Sequence, residues 1–210
     1  MKPGSGVLLI RKNNVPYLSL AFTVLFVILS AASAPTERVL GADARLVYLH
    51  GAWVWTALFG ILAAALTGLA GLILRRESLH AWSRALGRAG LLLWITFLPL
   101  SLVVMQTSWN GLFLAEPRWR LSLAFAAAGL ALQIGISLLQ PIWASISNLG
   151  FASLLLWILQ GTANVMHPPA PILNSHSMRI QLSFGLMLIF LSLAGWQIAL
   201  LFRRLELQGK

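Results

Sequence analysis

Trp109-Asn110-Gly111-Leu112-Phe113-Leu114-Ala115-Glu116-Pro117-Arg118-Trp119-Arg120 is a short polar and aromatic interruption between two long apolar runs. Two tryptophans, one carboxylate and two arginines fall within twelve residues of a chain in which charge is otherwise scarce. At the edge of an apolar layer, such groups require water or a ligand to satisfy them. Two readings are open for this stretch. It is an interfacial anchor of the ordinary Trp and Arg kind, or it is the rim of a binding site.

Outward from this loop, the composition sets the class. Hydrophobic residues make up 59% of the 210, charged residues 10%, and the mean hydropathy is +0.83, far from the usage of soluble domains. The chain reads as an all-α integral membrane protein. Its net charge of +10 would suggest nucleic acid in a soluble protein, but the basic residues punctuate the ends of apolar segments, as topology signals do. Nucleic-acid binding is excluded on that ground. The absence of cysteine excludes a disulfide framework, thiolate metal sites and covalent haem attachment, and leaves histidine-ligated cofactors open.

A spanning helix needs roughly 20 mostly apolar residues. Six segments qualify, at about 15–34, 46–74, 89–107, 121–139, 142–164 and 180–202. No repeat or linker divides them, so residues 1–210 read as a single six-helix domain. With the N-terminus cytoplasmic, ten Lys and Arg residues fall inside and five outside (Arg38, Arg45, Arg118, Arg120, Arg179), which predicts both termini in the cytoplasm. His50, the Trp109 to Arg120 loop, His167 and His176 then share the outer face, and His80 alone lies inside. The short turn at Gln140 and Pro141 predicts that segments four and five are antiparallel neighbours. Gly60, Ala64 and Gly68, spaced every four residues, predict a ridge for close helix packing.

The outer face carries the candidate chemistry. His50 sits in the first turns of its helix, where an imidazole is either hydrogen-bonded or ligating. Gly51 and Ala52 leave one of its flanks without bulk, so a flat macrocycle has room to approach. His167 lies in Met166-His167-Pro168-Pro169-Ala170-Pro171, where three prolines in four residues impose an extended path. His176 reads as part of a polar turn before segment six. Two imidazoles on one face suit a six-coordinate haem iron, whereas zinc wants a third or fourth protein ligand. Arg118, Arg120, Arg45 and Arg179 are either anchors or partners for propionate carboxylates. Glu116 is open to a structural pair with Arg118 or Arg120 or to a proton role. No phosphate loop, His-Glu-x-x-His helix or nucleophile elbow is present, and no enzymatic activity is expected.

These residues resemble a family. Arg45-Leu46-Val47-Tyr48-Leu49-His50-Gly51-Ala52-Trp53-Val54 is similar to the start of the second helix in CcmC-type cytochrome c maturation proteins, which reads Arg-aliphatic-aliphatic-Tyr-aliphatic-His followed by Ala-Trp. Trp109 to Arg118 resembles the tryptophan-rich haem-handling loop of that superfamily, roughly Trp-Gly-x-Tyr-Trp-x-Trp-Asp/Glu-Pro-Arg, and Val165 to Ile172 looks like its second histidine loop. Phe113 and Ala115 stand where tryptophans would be, and Asn110 where glycine would be.

The resemblance implies heme b at the outer face of the cell inner (plasma) membrane. It makes His50 and His167 the axial ligands, with Trp109, Phe113, Glu116, Pro117, Arg118 and Trp53 around the macrocycle. The implied function is haem delivery for cytochrome c assembly, with a haem chaperone and transporter subunits as partners beside membrane lipid. The alternative is a cytochrome b-type membrane anchor that exchanges electrons with quinone.

Overall fold

The computed structural model describes residues 14–163, 166 and 172–208. The chain folds into six helices: α1 (Val15–Ala32), α2 (Ala44–Leu74), α3 (Glu77–Trp109), α4 (Pro117–Ser137), α5 (Pro141–Gly161) and α6 (Met178–Gln208). All six are long and apolar enough to cross a membrane, and no named strand occurs among the described residues. The fold is all-α and multi-pass, and its apolar outer surface contacts lipid.

Local chemistry explains most of the boundaries. Pro16, Pro117 and Pro141 stand in the first turns of α1, α4 and α5, where the missing N–H has no partner to lose. Arg75 and Asn110 end α2 and α3 in the left-handed region, with φ of 53° and 55°. Asparagine is one of the few residues besides glycine that tolerates this conformation.

The largest difference from the sequence reading is in α3, which begins at Glu77 rather than Ala89. The added turns carry polar residues that hydropathy alone would leave out of a span. Inside the bundle they find partners: His80 Nδ1 lies 2.7 Å from Ser145 Oγ, Ser83 Oγ donates to the Ala64 carbonyl, and Arg84 reaches both Glu206 and the Leu139 carbonyl, with only its Nε left unpaired.

α2 and α3 form the central pair. α4 and α5 pack on one side and α1 and α6 on the other, and α6 touches both central helices. Two core clusters follow this division, one around Trp94, Phe97, Phe125 and Leu155 and one around Tyr48, Phe184, Met187 and Leu191. The small-residue ridge of α2 sits where its neighbours come closest. A Cβ on Gly60 would lie 2.8 Å from Gly90 Cα, and one on Gly68 would lie 2.9 Å from Ser145 Cα.

Candidate functional site

A cavity of about 690 Å³ opens at one end of the bundle, within the size range of cofactor pockets. Its walls come from the first turns of α2, the second half of α3, the start of α4, the last turn of α5 and the segment entering α6. In an up-and-down bundle these ends all lie at one membrane face, opposite the start of α1 and the end of α6. The inner wall is apolar, with Val54, Leu58, Trp94, Phe97, Met105 and Phe184, whereas the polar lining includes Glu37, Tyr48, Ser108, Glu116 and Arg118.

Four of the residues singled out from sequence line this cavity together: His50, Trp109, Glu116 and Arg118. They arrive on three different helices and the loop between two of them. His50 is half-buried, and its ring meets Phe97 edge-on with centroids 5.8 Å apart. Trp109 lies at the end of α3, with Phe113 packed edge-on behind it at 5.8 Å.

Glu116 is 4% exposed and divides its carboxylate between two environments. Its Oε2 accepts the Trp119 backbone N–H at 2.6 Å, capping α4, while its buried Oε1 has no hydrogen-bond partner. Neither Arg118 nor Arg120 pairs with it among the described residues. Arg120 instead donates to the Leu114 carbonyl. Buried atoms without a hydrogen-bond partner recur around the cavity: Tyr48 OH, Ser108 Oγ, Arg118 Nε and Trp119 Nε1 join Glu116 Oε1. An unsatisfied buried donor or acceptor costs roughly 1–3 kcal/mol. Five around one space are the mark of a site built for a partly polar ligand or for ordered water.

Glu37 stands on the rim. The N–H groups of Leu40 and Val39 hold its carboxyl below the usual carboxylate range, because hydrogen bonds to the ionised form favour it.

The structure places the other candidate residues as follows. Trp53 does not line the cavity; its indole N–H donates to Thr96 Oγ1 at 3.1 Å, and the ring packs against both cores. Gly51 lines the cavity beside His50, with Phe184 and Ile172 close by: an added Cβ would meet them at 3.3 and 3.4 Å; Ala52 is fully buried in the core. Both small residues allow the close approach of α6 and of the segment that enters it. Phe113 buttresses Trp109 without reaching the cavity wall, and Pro117 serves as the first residue of α4. Arg45 donates to the Ala34 carbonyl and ties down the loop before α2. Arg179 and His176 are exposed and do not line the cavity. His167 lies outside the described residues.

Tyr48, Ser108 and Trp119 are the lining residues that sequence reasoning passed over. Tyr48 stands two positions before His50, and Ser108 and Trp119 flank or belong to the loop, so proximity to the chosen motifs was the available signal. Among the described residues no three His, Asp or Glu side chains converge as a protein-only metal centre needs. One imidazole at the wall suits a macrocycle that brings its own equatorial ligands. No family model matches the chain, and no curated protein matches it.

Proposed function

We propose that this chain is a plasma-membrane haem-handling protein that binds heme b at the outer face and acts in haem delivery for cytochrome c assembly. The observation that carries this reading is the convergence of His50, Trp109, Glu116 and Arg118 on one apolar cavity whose polar lining holds buried atoms without partners. A flat hydrophobic ring with carboxylates at one edge asks for apolar walls, an imidazole and a cation, and each is represented. His50 would supply an imidazole to the iron and Arg118 a guanidinium for a propionate. Trp109, buttressed by Phe113, would offer an aromatic face, and His167 remains the proposed second ligand. His50 and His167 would be the imidazoles that hold haem through its iron. The protein's own part is to hold, orient and shield it, with no bond-making chemistry on the ring. A haem chaperone and transporter subunits are the partners this role requires.

One observation favours a second reading. Ala115 is exposed, and neither it nor Phe113 lines the cavity, so the walls come mainly from packed helices and less from an adaptable aromatic loop. Rigid walls favour retention, as in a cytochrome b-type anchor subunit exchanging electrons with quinone. Incubating the haem-loaded protein with apomyoglobin separates the two: transfer within minutes supports delivery, and retention over hours supports the anchor. A protein that takes up no haem in either His50 form or wild type removes both.

A further inference from the structure

At the opposite end of the bundle, α3 presents an arginine to the lipid. α4 and α6 both pack on α3 but do not touch each other among the described residues, so the strip of α3 between them is uncovered. Arg88, Leu92 and Val103 fall on that strip by helical spacing. Leu92 and Val103 are 40% and 48% exposed, and Arg88 is half-buried.

The depth of Arg88 follows from its neighbour. Arg84 donates to the Leu139 carbonyl, in the turn between α4 and α5, at 2.8 Å. Both of those helices are 21 residues long, about 31 Å, close to the thickness of the hydrocarbon layer. The turn therefore marks the boundary of that layer. Arg88 lies one turn farther along α3, about 6 Å deeper.

A guanidinium at that depth needs an anionic or strongly accepting partner. Arg88 makes no hydrogen bond or ion pair with any described residue. Among the described residues the one carboxylate within electrostatic reach is Glu206, and other guanidiniums already crowd it: Arg84 holds its Oε1 at 3.1 Å, and Arg203 stands 3.8 Å from its Oε2, which accepts no hydrogen bond. Three guanidiniums thus share one carboxylate and leave positive charge uncompensated at the boundary. Helical side chains lean toward the helix N-terminus, which carries the Arg88 head back toward the level of lipid phosphates.

We propose that the α3 strip between α4 and α6 binds an anionic phospholipid, its phosphate on Arg88 and its acyl chains along Leu92 and Val103. Arg84 and Arg203 supply the surrounding positive field. The occupant is a lipid and not free phosphate, because the contact at the level of the lipid phosphates continues into the apolar strip of Leu92 and Val103.

Native mass spectrometry of delipidated protein, titrated with dioleoylphosphatidylglycerol or dioleoylphosphatidylcholine, tests this without reference to haem. Wild type should take up the anionic lipid preferentially, and Arg88→Ala should reduce that preference about fivefold. Arg88→Lys should keep most of it, and Arg120→Ala, at the other face, all of it. Inorganic phosphate should not displace the lipid. Equal uptake of both lipids by wild type would overturn the proposal and needs no variant to fold. So would displacement by inorganic phosphate, or full preference in Arg88→Ala or Arg88→Gln.

Discussion

At the scale of single residues, Glu116 is the clearest case of one side chain serving both fold and site. One oxygen caps α4 and the other is buried without a partner beside the cavity. Glu116→Ala should therefore cost about 1 kcal/mol through the lost cap, read as a lower thermal midpoint in detergent, and should also weaken haem retention. Glu116→Asp should keep more of the cap than of the retention.

Glu37 gives a pH prediction on the same rim. Its folded-state value lies below the unfolded reference of 4.5. The stabilisation it lends its loop is therefore complete above that reference and is lost as pH falls through the lowered value. Amide exchange at Val39 and Leu40 should speed up, beyond its intrinsic pH trend, as pH falls below that reference of 4.5 in wild type and show no such step in Glu37→Gln.

At the scale of elements, the helices were legible wherever apolar residues ran unbroken and illegible where polar residues are paired inside the bundle. The start of α3 shows why. His80, Ser83 and Arg84 read as a boundary by hydropathy, yet their partners come from α2, α5, α6 and the turn after α4, which no local window contains. The Arg84 to Glu206 pair has side chains only 7% and 10% exposed. Arg84→Ala should then destabilise by about 3–5 kcal/mol, chiefly by leaving Glu206 buried without its main counter-charge. An intact thermal midpoint in that variant would remove the pair as a structural element.

Gly90 marks the tightest contact of the central pair, since an added Cβ would lie 2.7 Å from Ile61 N. Gly90→Ala should cost about 1–3 kcal/mol by overpacking. Gly150→Ala, where nothing lies within 4 Å, should be neutral or slightly stabilising in the same melt.

For the whole molecule, the sequence indicated which residues to suspect more reliably than how they meet. His50, Trp109, Glu116 and Arg118 stand out as scarce polar and aromatic types at segment ends, and up-and-down topology brings those ends to one face. The placement of Trp53 in the core is not legible in sequence, because an indole near a histidine carries no mark that distinguishes a core side chain from a cavity wall. The Trp53 bond to Thr96 spans 43 positions. The neighbours of Gly51, Phe184 and Ile172, are not legible either, because a small residue reports a close approach without naming the partner.

The topology itself has a direct check, since the chain has no cysteine to obscure single introductions. Cysteines at Asn14 and Gln208 should react with an impermeant maleimide from one side of the membrane, and one at Ala115 from the other. Labelling of all three from the same side would contradict the six-span arrangement.

The central claim is haem binding at this cavity. Its most direct test is the absorption spectrum of the detergent-purified protein, oxidised and then dithionite-reduced, with a pyridine haemochrome assay for haem per chain. The account predicts a b-type spectrum in wild type, strongly diminished in His50→Ala and His167→Ala and unchanged in His80→Ala. Haem absent after expression with ample haem supply, or equal in all three variants, would contradict it and return the Trp109 to Arg120 loop to a plain interfacial anchor.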